Sequence, residues 1–441
     1  MMPRSGLVVG CVFGAVVLLT PTLAFAQAGT AERPYRGLFG GAGGSGGKQA
    51  LNLTISLAGA YDDNVLAETV GLIDSARVAQ GGTYSSLALD LDYARRGRIF
   101  QLGGAAGASG RYYSGDRAAT SVGYYATGAV SAALGRRTQV SLSQVFSYEP
   151  SYLARLFPVL SAPMIDEGGV RPLDYGQDTE QAFTSLVTSA NVSRGIGRRG
   201  SLSFGASFRY STFNAANTLK AYDVRGQFTQ GLTRNTALRM GYGYRNGTTG
   251  FSTAETALHD IDIGVDYSRA FSFSRRTTFG LNVGSSVVRS PFEDQIAGTE
   301  ALQYRLVGDA WLNHQIGRSW VARAEFSRDV SFIDVLPTPV FSDAIRGSLG
   351  GLLNRRTDIS TTIAYTKGES AGGNLASQFD AFTGTLRLQF ALSRSWATYT
   401  EYSYYAYDFS RNAQLVGEVP TQFQRQTVRA GLTVWVPLSG R

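Results

Sequence analysis

The side chains able to do chemistry fall mainly into one pattern, arginines and carboxylates at matching steps along neighbouring segments. Arg239 and Arg245 precede Asp260, Asp262 and Asp266, with Asp223 and Arg225 just ahead of them. The same parity runs through Asp90, Asp92, Arg209, Arg305, Asp309, Arg323, Glu325, Arg387, Arg425 and Arg429. Residues two apart on an extended chain share a face, so these charges would line one surface. Such a surface can act as a charged ring that selects solutes. It can equally be a salt-bridged polar wall that keeps a watery interior wet and stiff.

Catalysis has little to build on. His259 stands among Ile261, Ile263 and Val265 on an apolar face, and His314 lies near a turn. Neither has a serine and an orienting partner at recognisable spacing, and zinc-ligand spacing is absent. Cys11 is the single cysteine. The expectation is a protein that is not an enzyme and carries no cofactor or metal. Asp62-Asp63-Asn64 offers oxygen ligands for a divalent ion bridging acidic headgroups, but the same residues are ordinary turn formers.

The elements that position these charges are set by short arginine turns. They are Ala94-Arg95-Arg96-Gly97-Arg98, Gly135-Arg136-Arg137-Thr138, Gly197-Arg198-Arg199-Gly200, Thr233-Arg234-Asn235-Thr236, Ser274-Arg275-Arg276-Thr277, Gly317-Arg318-Ser319-Trp320, Asn354-Arg355-Arg356-Thr357 and Ser393-Arg394-Ser395-Trp396. Each separates two runs of alternating apolar and polar residues. The spacing is about 40 residues, the period of two strands of ~10 residues with a tight turn at one end and a longer loop at the other. Eight turns give sixteen strands, and one strand before and one after give eighteen. Sixteen is the fallback count, because the segment 179–194 alternates poorly. The fold expected is an all-β, transmembrane, antiparallel up-and-down barrel with short periplasmic turns and longer outer loops.

Ahead of it, residues 1–26 read as a signal peptide: Arg4, an apolar run to Leu23, then Ala24-Phe25-Ala26. Residues 27–49 form a flexible Gly-rich periplasmic leader, and the barrel occupies 50–441. The formal charge is +8, almost wholly from arginine. For an exported chain this excludes nucleic acid as a partner and points to lipid headgroups, lumen polarity or an acidic solute.

Leu51, Leu53, Ile55 and Leu57 face lipid on the first strand; Val428, Ala430, Leu432, Val434 and Val436 do so on the last. Trp320 and Trp396 follow turns and Trp435 ends the last strand, while tyrosines such as Tyr112, Tyr113, Tyr148, Tyr244, Tyr404, Tyr405 and Tyr407 lie toward the opposite ends. Two aromatic girdles are expected, with most aromatics outward. The longest outer loop, 149–178, is the candidate constriction. Its Leu156, Phe157 and Met164 are apolar beside Asp166 and Glu167, and folding into the barrel mouth would bury them.

Arg429, Gly431, Val434 and Val436 resemble the assembly signal read by the outer-membrane barrel-insertion machinery. Ser56-Leu57-Ala58-Gly59-Ala60-Tyr61-Asp62-Asp63-Asn64-Val65 resembles the start of outer-membrane β-barrel porin families associated with exopolysaccharide export. That resemblance implies a passive conduit for a polysaccharide in the bacterial outer membrane, contacting its lipid and working with periplasmic polysaccharide-export proteins. The alternatives are a general diffusion porin for small hydrophilic solutes and a closed structural or adhesive barrel.

Overall fold

The computed structural model describes residues 49–64, 81–114, 119–149, 183–213, 217–249, 256–271, 274–290, 301–317, 319–331, 340–370, 378–410 and 422–440. These residues form strands β1 (Gln49–Asp62), β2 (Gly82–Arg96), β3 (Phe100–Ser114), β4 (Ala119–Ala133), β5 (Thr138–Glu149), β6 (Phe183–Ile196), β7 (Gly200–Phe213), β8 (Asn217–Gly231), β9 (Thr236–Thr249), β10 (Thr256–Phe271), β11 (Ser274–Ser290), β12 (Ala301–Ile316), β13 (Trp320–Ser331), β14 (Val340–Leu352), β15 (Thr357–Ser370), β16 (Gln378–Ala391), β17 (Trp396–Phe409) and β18 (Gln422–Gly440). Each pairs antiparallel with its neighbour in sequence, and β1 pairs with β18. The sheet closes on itself as an eighteen-stranded barrel.

Period-two alternation makes these segments strands, and burial shows which face is which. On β1, Asn52, Thr54 and Ser56 are buried while Leu57 is 57% exposed; on β10, Asp260 and Asp262 are buried while Ile263 is 62% exposed. A soluble sheet hides its apolar face. Here the polar face is hidden and the apolar face forms the outer surface, the inversion that marks a barrel facing lipid. Fixing this parity leaves each strand a single register, since a one-residue slip would turn charges into hydrocarbon.

The short turns are built by local hydrogen bonds. Leu134, Leu232, Leu353 and Leu392 N–H donate to the carbonyls of Thr138, Thr236, Thr357 and Trp396. Thr233 Oγ1, Asn354 Oδ1 and Ser393 Oγ each accept from the backbone N–H groups two and three residues on. Where a turn has no such side chain at its start, Gly135, Gly197 and Gly317 take positive φ of 83°, 68° and 65°, a conformation open to glycine at little cost.

Several strands run past the ~10 residues that cross hydrocarbon; β18 has 19 residues and β11 has 17. β3 continues to Ser114. The weakly alternating segment is a full strand, β6, so the count is eighteen rather than sixteen. Its alternation fails because Phe183 and Val187 sit on the inner face, buried. The interior is packed at that level, so apolar side chains can face inward there.

Closure is made by β1 and β18, in register from Asp62↔Thr427 to Asn52↔Pro437. Beyond Asn52 the ladder shifts, so that Leu51 opposes Ser439. Pro437 has no N–H to give a ladder, and a bulge at this point is how an antiparallel pair accommodates it. In the middle of the seam an added Cβ on Gly431 would stand 2.3 Å from the Leu57 carbonyl oxygen and 2.7 Å from Ala58 Cβ. One strand away, a Cβ on Gly59 would meet nothing within 4 Å. We therefore predict that Gly431→Ala lowers the stability of the folded barrel by about 1–3 kcal/mol, the usual cost of overpacking. Gly59→Ala should leave it unchanged. Urea unfolding monitored by the shift between folded and unfolded electrophoretic forms reads both; equal midpoints for the two variants would contradict the close seam.

Candidate functional site: the inner wall of the barrel

Strand pairing brings the inward side chains of neighbouring strands together, and they form two polar arcs. The first spans β8 to β12. Arg245 Nη2 lies 2.6 Å from Asp260 Oδ2, and its Nε lies 3.2 Å from Asp223. Arg225 reaches Asp260 at 3.3 Å. One turn of the ladder lower, Arg239 contacts Asp262 at 2.7 Å and Asp266 at 3.0 Å and bonds to Asn282, whose Nδ2 donates to Asp309 at 2.9 Å. The second arc lies on β16 to β18. Glu401 forms an ion pair with Arg429 at 2.6 Å and faces Arg387 at 3.8 Å, while the Arg429 and Arg387 guanidinium groups lie over the Tyr399 ring, at 5.9 and 4.5 Å.

The remaining residues of the sequence pattern are spread around the wall. Asp90 accepts from Tyr125 Oη at 2.7 Å, and Asp92 sits opposite Asn52 and Ala105. Arg209 is buried on β7, and Arg323 lies 3.6 Å from Glu325 on its own strand. Arg305 pairs with Glu369 at 2.7 Å and stacks over Phe341 at 4.8 Å. Sequence reading missed the inward charges Asp62, Arg111, Asp329, Arg346, Asp358 and Glu401. Parity alone would have found most of them, since each is an even number of residues from an inward neighbour on its strand.

Asp62-Asp63-Asn64 does not stand free as an ion site. Asp62 receives Arg425 Nε at 2.8 and 2.7 Å and bonds to its Nη2. Asp63 Oδ1 accepts the Gln426 backbone N–H at 2.7 Å, and Asn64 Nδ2 donates to the Gln424 carbonyl at 3.2 Å. All three residues bind β18, so the group clamps the seam at its loop end. Among the described residues no cluster of three or more His, Cys, Asp or Glu is placed to hold a metal ion. His259 Nδ1 bonds to Tyr242 Oη at 2.8 Å and His314 Nδ1 to Thr277 Oγ1 at 2.6 Å. Both lie on the outward parity of their strands.

Most described aromatics take the outward parity as expected, but Tyr113, Tyr405 and Tyr407 of the expected girdle turn inward. Tyr112, Tyr124, Tyr222, Tyr242 and Tyr304 do form an exposed outer girdle. But Tyr84, Tyr113, Phe379, Tyr399, Tyr405, Tyr407, Phe409 and Phe423 face inward and are buried. On β16 to β18 they make a continuous run: Phe379 to Phe409 at 5.6 Å, Phe409 to Tyr407 at 5.8 Å, and Tyr407 stacked on Phe423 at 5.4 Å. Trp435 also takes the inward parity, opposite Thr54, whereas Trp396 is outward and 48% exposed.

On β2 to β6 inward positions grow more covered toward the loop end, whereas on β1 and β15 to β17 they are buried at the turn end as well, at Ala50, Asp358, Ala391 and Ala397. On β4, Ala129 is exposed, Tyr125 and Thr127 are half-buried, and Ser121 is buried; on β3, Gly103 is half-buried and Tyr113 is buried. A described element explains part of this. The ladder between β12 and β13 stops at Gly308↔Arg328, although β12 runs on to Ala301 and β13 to Ser331. Past that split the tips of β13 and β14 lean across the lumen. Val330 and Phe341 pack with Leu219 of β8 and Leu258 of β10, and Arg245 Nη1 donates to the Val330 carbonyl at 2.7 Å. The candidate constriction residues Leu156, Phe157, Met164, Asp166 and Glu167 lie outside the described residues.

The fold and this wall define a membrane-spanning β-barrel with a polar, charged interior. No protein-family model matches the sequence, and no curated protein matches it. Solved structures similar to it include Pseudomonas aeruginosa OccK2 (OpdF) in complex with glucuronate, at 9% identity, 89% of this chain, 98% of that chain and a TM-score of 0.42. Acinetobacter baumannii OccAB4 is similar at 9% identity over 88% of this chain and 98% of that one, with a TM-score of 0.42. The siderophore receptor PirA from P. aeruginosa is similar at 10% identity over 88% and 80%, with a TM-score of 0.40. The barrel assignment rests on the chain's own strand pairing.

Arg425→Met should destabilise the barrel by about 3–5 kcal/mol, because it leaves the Asp62 carboxylate buried without its cation. The double variant Asp62→Leu/Arg425→Met should regain most of that loss, and chelators should move neither midpoint. A chelator-sensitive midpoint in the parent would contradict the clamp and restore the ion site.

Proposed function

We propose that the protein is a bacterial outer-membrane channel that passes small hydrophilic solutes. The supporting observation is the inner wall itself, which carries paired Arg, Asp and Glu side chains and is partly exposed on β2 to β6 from the short-turn end to the middle of the barrel. Ionised groups are held at this depth in a membrane protein where they face water. Pairing them keeps the wall polar without a large net field, which suits passage of uncharged and singly charged solutes alike. The turn end lies in the periplasm and the loop end outside, as in barrels with short periplasmic turns.

The lean of β13 and β14 makes this a narrowed channel. Its docking rests on one apolar cluster and on Arg245, which also contacts Asp260, Asp223 and Asp329. An 18-strand barrel is otherwise wide enough for water, so these strand tips set the width at the loop end. A constriction at the described ends of β13 and β14 is independent of the loop 149–178.

A second reading is carried by the aromatic run of Phe379, Tyr407, Phe409 and Phe423. Sugar rings stack on aromatic faces, and such a row on the inner wall is what passage of a saccharide chain requires. In the structure these rings are buried, so they would serve a saccharide only when the loop end opens. Polysaccharide export is accordingly the narrower reading and small-solute diffusion the one favoured.

Vesicle-swelling rates separate these cases. Protein purified from outer membranes should admit small sugars and amino acids. Val330→Ser/Phe341→Ala should raise the rate at least twofold by releasing the hairpin. No swelling in either form would overturn the channel reading. Swelling of the parent that is blocked by a linear oligosaccharide, with the block lost in Tyr407→Ala/Phe423→Ala, would favour the saccharide reading instead.

A further inference from the structure

The short-turn rim carries a charge ring that the channel reading does not use. Exposed arginines occupy five of the described turns and their flanks: Arg95, Arg96 and Arg98, then Arg136 and Arg137, Arg198 and Arg199, Arg234, and Arg355 and Arg356. Arg394 adds a sixth turn, and these turns hold no Asp, Glu or Lys. Asp358, the nearest acid along the chain, is buried.

Strand parity says which way part of this ring points. Arg95 on β2 lies opposite Leu102 on β3, which is exposed on the apolar outer face. Arg194 on β6 falls on the parity of Val192 and Ile196, both exposed on that face. An arginine aimed outward beside exposed Leu, Val and Ile is at the border of the hydrocarbon. Trp396, outward two residues after Arg394, marks the headgroup level on the same rim, since tryptophan concentrates at that interface. Guanidinium groups at that height meet lipid phosphates before they meet solute.

We propose that this rim is a binding ring for the phosphates of anionic phospholipids in the adjoining leaflet. The proposal rests on the membrane-spanning reading and adds a ligand class to it. Guanidinium matches phosphate with paired, charge-assisted hydrogen bonds. The turns that carry these arginines hold no acid side chain, and Arg199, which donates to the Leu232 carbonyl at 3.3 Å, has only a neutral partner there. The ring fixes the height and tilt of the barrel by holding its turn end at the phosphate plane.

The test uses the purified protein in phosphatidylcholine vesicles doped with spin-labelled phosphatidylglycerol or spin-labelled phosphatidylcholine. Electron paramagnetic resonance reads the fraction of each lipid slowed at the protein surface. The parent should slow phosphatidylglycerol roughly fivefold more strongly, about 1 kcal/mol of selectivity, and the preference should fall with added salt. Replacing Arg95, Arg136, Arg137, Arg194, Arg198 and Arg199 by Gln should bring the two lipids to parity, with folded migration on gels unchanged. The corresponding Lys variant should keep most of the preference. Equal slowing of both lipids by the parent, or an undiminished preference in the Gln variant, would overturn the ring while leaving the barrel in place. No slowing of either lipid would overturn the membrane reading together with the ring. Preference that vanishes in the parent when soluble polyglutamate is added, with no salt effect on lipid alone, would assign the ring to an acidic polypeptide instead.

Discussion

Everything in this structure depends on one requirement: a backbone crossing hydrocarbon must satisfy every N–H and C=O within itself. An unpaired group there costs several kcal/mol, so a sheet that crosses lipid has to close. The chain meets the requirement at the β1–β18 ladder, and details at both ends of that ladder serve it. Pro437, which cannot donate, is taken up in a bulge. Asp62 and Arg425, fully buried at the other end, tie the last rungs through side chains where the strands leave the membrane. Gly431 is needed between them because β1 comes too close for any side chain.

Once the sheet closes, its two faces have opposite obligations. The outer face must be apolar without interruption, which fixes strand parity throughout. The inner face is then left with whatever alternates, and in this chain that is charge. Those charges do not stand as isolated ions. Arg239 and Arg245 each gather more than one carboxylate across β8 to β10, and Glu401 lies between Arg387 and Arg429. The same pairing that keeps the wall polar stiffens it. Where the wall departs from polar, at the loop end, it becomes aromatic and is covered. On β2 to β6 the inner face thus passes from half-exposed at the turn end to packed at the loop end.

Much of this was legible in the sequence, for a physical reason. The arginine turns and the alternation between them count the strands, since each strand must be long enough to cross and each turn too short to do anything else. β6 was hard to read because Phe183 and Val187 put apolar side chains on the inner face, and only the packing at the loop end makes sense of them. The inward aromatics of β16 to β18 were missed for a related reason: in Tyr404-Tyr405-Ala406-Tyr407-Asp408-Phe409 both faces carry rings, so periodicity does not choose between them. The lean of β13 and β14 left no local signal at all. It arises from contacts with β8 and β10, some 70 to 120 residues earlier in the chain. The role of Asp62 was likewise hidden, because its partner Arg425 is 363 residues away.

The central claim is the proposed function: a closed barrel that conducts solutes and is narrowed at its loop end by the tips of β13 and β14. Single-channel conductance with polyethylene glycols of graded size, added to one side at a time, tests it most directly. The account predicts asymmetry: polymers added at the turn side lower the conductance up to a larger size than polymers added at the loop side. Equal size cut-offs from the two sides would contradict a lumen that narrows along its axis, and the absence of any conductance would contradict a channel.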